Sequence, residues 1–235
     1  MIARRLAAEL IGTAGLLLAI VGSGITAATD GPESAQLFQH AVVVGAALGA
    51  LIVTFGSVSG AHFNPAVTLV DALFGGLSTR LAMAYVAVQL AGGAAGVVLA
   101  NIMFDLPAVA MSTTQRSGLA LLLSEAVATA GLVVVIFGVG RSRHPGAVPA
   151  AVGAWITAAI YATSSTSFAN PAVTVGRVLT DTYTGIAPLG VGPFVVAQVV
   201  GALAAAALVG WLFRPDPAMA ASVVVAAEPP ADDTD

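Results

Sequence analysis

The sequence predicts an all-α membrane protein, with six spanning helices and two shorter half-helices arranged as an inverted three-plus-three repeat. Three observations predict it. The chain is 58% hydrophobic and only 9% charged, against roughly 25% charged residues in an ordinary soluble domain. Six apolar stretches are long enough to cross hydrocarbon as helices, and two further segments are about half that length. Short motifs also recur in the same order in the two halves of the chain.

The six long stretches run over about 6–28, 37–57, 77–104, 119–140, 147–164 and 189–213. The first begins after the basic residues Arg4 and Arg5, as a secretory signal would, but its length and the glutamate inside it, Glu9, read as a span. The two short segments, 65–75 and 171–179, would each cover roughly 14–17 Å at 1.5 Å per residue, about half of the hydrocarbon core. Meeting end to end, they would cross the membrane once. The chain therefore reads as one transmembrane domain over 1–213, with repeats at about 6–104 and 119–213 and a disordered cytoplasmic tail over 214–235.

Composition excludes several function classes. There is no basic patch of the kind nucleic acid needs. There is no cysteine, hence no thiolate or disulfide chemistry. The three histidines, His40, His62 and His144, are far apart in the chain, so neither a metal site nor a cofactor is expected. No nucleophile–base set for an intramembrane enzyme is visible either. With both termini inside, the arginines divide as Arg4, Arg5, Arg80, Arg141, Arg143 and Arg214 on the cytoplasmic side and Arg116 and Arg177 outside. That six-to-two split is the bias expected of cytoplasmic termini and an even number of spans, and the expected location is the cell (inner or plasma) membrane.

The repeat is carried by matched residues. Glu9 to Gly15 is echoed by Glu125 to Gly131, Gln89 to Gly92 by Gln198 to Gly201, and Asn64-Pro65-Ala66-Val67-Thr68 by Asn170-Pro171-Ala172-Val173-Thr174. Three spans per half is an odd number, so the second half must lie upside down relative to the first. Inverted repeats of this kind place their working site near the midplane, at broken helices.

The doubled Asn-Pro-Ala, with a glutamate near the start of the first and fourth spans, resembles the aquaporin or major intrinsic protein family over about residues 6–213. The resemblance implies a right-handed helical bundle, a homotetramer with one pore per subunit, and passive passage of small neutral solutes and water. Residue by residue, it makes Asn64, Pro65, Ala66, Asn170, Pro171 and Ala172 the pore motifs. Family members place an arginine directly after the second motif, and Val173 stands there. Carried over by spacing from the two asparagines, the remaining constriction positions fall on Val44, Ala158 and Ser167. The valine resembles a bacterial branch of the family, some of whose members are associated with arsenic resistance. Glycerol-like polyols, urea, neutral metalloid hydroxides such as arsenite, and water are the solutes this implies. A strict water channel and a coupled secondary transporter are the alternatives.

The motif has a physical reading of its own. Asparagine caps helices and proline is favoured in the first helical turn. A capping amide oxygen accepts backbone N–H groups and leaves an NH₂ with two donors. Two such caps at mid-membrane, each with roughly +0.5 charge from its half-helix, would repel cations and hydrogen-bond a neutral hydroxyl. Glu9 and Glu125 are read as acceptors for the re-entrant loops beside them, against proton-coupled transport. His62 is read with them as a loop-supporting residue that could also face the pore. Gly12, Gly15, Gly92, Gly93, Gly96 and Gly201 are expected at close helix crossings. Arg177 lies one helical turn beyond Val173. It either reaches the outer vestibule or pairs with loop groups such as Asp181.

Overall fold

The computed structural model describes residues 2–29 and 31–213. The tail over 214–235, expected to be disordered, lies outside the described residues. Six helices have the length and apolarity to cross a membrane. They are α1 (Ile2–Ala27), α2 (Glu33–Ser59), α4 (Thr79–Met103), α5 (Leu119–Gly140), α6 (Val148–Ala162, preceded by a 3-10 turn) and α8 (Pro188–Leu212). The half-helices are α3 (Pro65–Leu73) and α7 (Pro171–Gly176), the latter continuing as a 3-10 turn, Arg177–Leu179. Both start where the sequence places them. Asn64 and Asn170 are the N-caps, with proline at the first position of each helix.

The two halves pack alike. In the first, α1 contacts α2 and α4; in the second, α5 contacts α6 and α8. Across the halves, α2 packs on α6, and each half-helix touches the third spanning helix of both repeats. We call the end of the bundle that holds the chain's N-terminus the near end and the opposite one the far end. From the connectivity, α3 runs from the interior to the near end and α7 to the far end.

Glycines make this packing possible. A Cβ on Gly92 of α4 would overlap the carbonyl oxygen of Leu10 in α1, and one on Gly201 of α8 would overlap that of Ala126 in α5. Leu10 follows Glu9 and Ala126 follows Glu125, so each glycine brings its helix onto backbone beside the buried glutamate. Gly96 does the same against Ala14. Gly45 and Gly153 face each other's carbonyl oxygens where α2 crosses α6, a close approach that the sequence reading did not single out. Gly12 serves differently from expectation: the atoms nearest to a Cβ there belong to the ring of Phe63, a loop residue. Large apolar side chains such as Val53, Met83, Leu119, Leu189 and Trp211 point outward, as a lipid-facing surface requires.

A Gly92→Ala change should force α1 and α4 apart at a backbone contact that cannot move aside. Overpacking of this kind costs about 1–3 kcal/mol. The thermal midpoint of the purified protein in detergent is expected to fall; an unchanged midpoint would show that the α1–α4 contact relaxes freely.

Candidate pore

Each half-helix is preceded by a loop with unusual backbone. Ala61 and Phe63 have φ of 51° and 48°, and Ser167 and Ala169 have 47° and 48°. These are the third and first residues before each capping asparagine. Left-handed conformations of non-glycine residues cost roughly 1–3 kcal/mol each and persist only where the surroundings hold them. The hold is a buried carboxylate. Glu9 Oε1 accepts from Ser59 Oγ (2.6 Å) and the His62 amide (3.0 Å), and Oε2 from the Phe63 amide (2.8 Å) and Gln89 Nε2 (2.8 Å). In the second loop Glu125 accepts from the Phe168 and Ala169 amides (2.9 Å each) and from Gln198 Nε2 (2.6 Å). Alternating backbone handedness turns successive N–H groups toward one point, an anion-binding nest, and the protein supplies the anion itself. Each glutamine also donates to a threonine of the adjacent half-helix, Gln89 to Thr68 and Gln198 to Thr174.

The caps also tie the two loops to each other. Asn64 Oδ1 accepts from the Ala66 amide, and Asn170 Oδ1 accepts from the Ala172 and Val173 amides. Asn64 Nδ2 donates to the Ala169 carbonyl and Asn170 Nδ2 to the Phe63 carbonyl, both at 2.8 Å. The sequence reading left both amide hydrogens of each asparagine to the pore. One of the two is spent on the opposite loop, which fixes the half-helix ends against each other and leaves one donor per asparagine.

A cavity of ≈ 50 Å³ passes these asparagines, and a second of ≈ 20 Å³ continues it toward the near end; Ile52, Ala61, His62, Val67, Ile136 and Val152 line both. One side is apolar and built from helical stripes four residues apart: Val44, Leu48 and Ile52 on α2, below His40, face Val152, Ile156 and Ile160 on α6. The other side is polar and built from the two loops and the asparagines.

Of the four expected constriction residues, Val44, Ser167 and Val173 line the cavity. Ala158 does not: it is exposed on the outer side of α6. Counting back from Asn170 assumes a fixed linker between α6 and the loop, and two residues of offset rotate a helical position by about 200°. Ile156 and Ile160 stand there, bulkier than the alanine expected. Arg177 is buried on the cavity wall. Its Nε donates to the Thr184 carbonyl and its guanidinium carbon lies 3.4 Å from the centre of the Phe168 ring. Asp181 binds Thr113 instead. Arg116, from the loop before α5, also lies over Phe168, at 5.1 Å, and burial lowers its pKa below the ordinary arginine value. His62 does two things: its amide binds Glu9, and its ring, on the cavity wall, shares a hydrogen bond with Thr68 (3.1 Å). His40, Phe168 and the α6 isoleucines are lining residues that sequence reasoning missed. The four-residue spacing of His40, Val44, Leu48 and Ile52 was the signal that could have found the first of them.

Two opposed half-helices inside a bundle of six spanning helices, with a cavity along their polar caps, define a membrane channel of the inverted-repeat class. Comparison with known proteins gives the family. The major intrinsic protein family model matches residues 1–167. An aquaglyceroporin, AqpS of Rhizobium meliloti (strain 1021), is 49% identical over 213 residues, covering 90% of this chain and 91% of that protein. A probable aquaporin, AqpM of Archaeoglobus fulgidus, is 30% identical over 91% of this chain and 98% of its own. The X-ray structure of the aquaglyceroporin from Plasmodium falciparum shares the fold, with a TM-score of 0.74 at 21% identity over 92% of this chain and 98% of that one. The chain belongs to the major intrinsic protein family.

Replacing Glu125 with glutamine turns an amide NH₂ or a single oxygen toward three donors. Hydrogen bonds to a charged group are each worth about 1.5–3 kcal/mol, so the variant should lose several kcal/mol of stability and much of its folded yield. The solute flux of whatever folds should stay independent of a proton gradient. Flux that is gradient-driven in the native protein and lost in Glu125→Gln would instead make the carboxylate a proton carrier.

Proposed function

We propose that this protein is a passive channel for small uncharged hydroxylated solutes, glycerol-like polyols first, and for water. The observation that carries this reading is the amphipathic cavity. Its apolar side suits carbon skeletons, while the asparagine amides and loop residues opposite bind hydroxyls. The aquaglyceroporin name of the 49% identical relative supports the same solute class. Urea and neutral metalloid hydroxides such as arsenite have comparable size and hydrogen-bonding groups and belong to the same proposal. Cation exclusion rests on the paired half-helix ends at Asn64 and Asn170, since Val173 carries no charge. Val44, Ser167 and Val173 form the constriction, with Ile160 in the place expected of Ala158 and Arg177 at the far mouth. The arginine distribution supports cytoplasmic termini, with Arg177 then on the outer side of a cell membrane. The small-residue helices are compatible with a homotetramer.

Coupled transport is the weaker reading, because both midplane glutamates have their oxygens engaged by loop and glutamine donors. A strict water channel is favoured by one observation, the bulk of Ile156 and Ile160 on the α6 side. Stopped-flow light scattering separates the two. Proteoliposomes mixed with hyperosmotic glycerol should shrink and then reswell quickly as glycerol enters. Fast shrinking without reswelling would make the pore water-selective.

Val173→Arg places a long cation in the cavity close to Arg177. Glycerol reswelling should slow to near the rate of protein-free vesicles; an unchanged rate would remove Val173 from the constriction.

A further inference from the structure

The pore has a charge problem that its described features do not solve. The half-helix ends at Asn64 and Asn170 are positive, each asparagine offers an N–H, and Arg177 adds a full positive charge at the far end. All of these repel cations, and all of them attract anions. A channel for neutral solutes needs something that turns anions back.

Asp71 is the one acidic residue on the wall of these two cavities among the described residues. It stands seven residues after Asn64, as Arg177 stands seven residues after Asn170, so the inverted repeat carries the two side chains to opposite ends of the pore. The residue is buried, 4% exposed. Its Oδ2 has no hydrogen-bond partner, an unusual state for a buried carboxylate oxygen. The nearest basic side chain is the His62 ring, with Nε2 at 3.8 Å from Oδ2. The fold makes room for the group: a Cβ on Gly76 would overlap the Asp71 oxygens. An apolar residue would suit a short helix inside the membrane, so an acid on the cavity wall with one oxygen outside any hydrogen bond points to a role toward the pore contents.

We propose that Asp71 is the anion-excluding residue of this pore. It sets a negative barrier at the near end against species that Arg177 and the half-helix ends draw in from the far end. Charge selection is thereby shared, the half-helix ends and Arg177 acting against cations and Asp71 against anions. A weakly acidic solute passes in its neutral form and is refused once deprotonated. The proposal rests on the neutral-solute reading above.

The test uses the full-length protein in liposomes loaded with an iodide-quenched dye, with valinomycin and potassium to balance charge. Glycerol reswelling is measured on the same preparations. Asp71→Asn and Asp71→Ser, which remove the charge with and without keeping the volume, should raise iodide entry roughly tenfold or more, as loss of a repulsion at contact range implies. Glycerol flux should stay within about twofold, the size of a minor change in barrier. Asp71→Glu, which keeps the charge, should stay tight to iodide. Iodide entry unchanged in both neutral variants, with glycerol flux retained, overturns the proposal. So does equal iodide entry through Asp71→Glu, which would assign the leak to packing. A native protein that passes no glycerol overturns the solute reading instead.

Discussion

A backbone that turns back inside a bilayer must satisfy its own amides, because there is no water there to do it. Most of this structure follows from that constraint. The re-entrant loops would be forbidden without Glu9 and Glu125, whose carboxylates collect the His62, Phe63, Phe168 and Ala169 amides. The glutamates in turn are tolerable only because Gln89 and Gln198 reach them, and the glutamines reach them only because Gly92 and Gly201 let α4 and α8 lie directly on α1 and α5. A buried charge, which by itself would be costly, is here a structural anion in a site that the backbone makes.

On this symmetric frame the two ends of the pore have diverged. The near end is polar: Tyr85 donates to the Ser59 carbonyl and accepts from Arg5, and His62 and Asp71 line the cavity beside it. At the corresponding positions of the second repeat stand Phe194 and Phe168, packed edge to face at 5.2 Å between ring centres, and the cation is Arg177. The residues that anchor the loops, Glu9 and Glu125, Gln89 and Gln198, Asn64 and Asn170, are the same in both halves. The lining residues His62 and Asp71 differ from their counterparts Phe168 and Arg177, as expected where the scaffold is under one constraint and the contents of the pore under another.

The Asn64 and Asn170 side chains show how one residue meets both demands. The amide oxygen caps its own half-helix, one amide hydrogen holds the opposite loop, and the other is left at the cavity wall. The half-helices are short and could not hold position by packing alone. Their reciprocal bonds place the two helix ends at one point and keep them there.

The sequence by itself determined the helical class, the spans, the inverted repeat, the two caps and the acidic partners of the loops. Those features depend on hydrophobic length, local propensity and motif order, all of which are properties of contiguous residues. What only the tertiary structure decided is which side chains face the cavity. Ala158 was placed by counting along the chain, but its direction depends on the rotation of α6, set by the Gly45–Gly153 crossing with α2. Arg177 could equally have paired with Asp181, and the choice was made by Thr113, which takes that carboxylate from the linker between the repeats. The repeat makes Asp71 the counterpart of Arg177, but only the fold puts it on the pore wall with an oxygen outside any hydrogen bond. Helix rotation and long-range partners are settled by contacts between segments far apart in the chain, which no local pattern encodes.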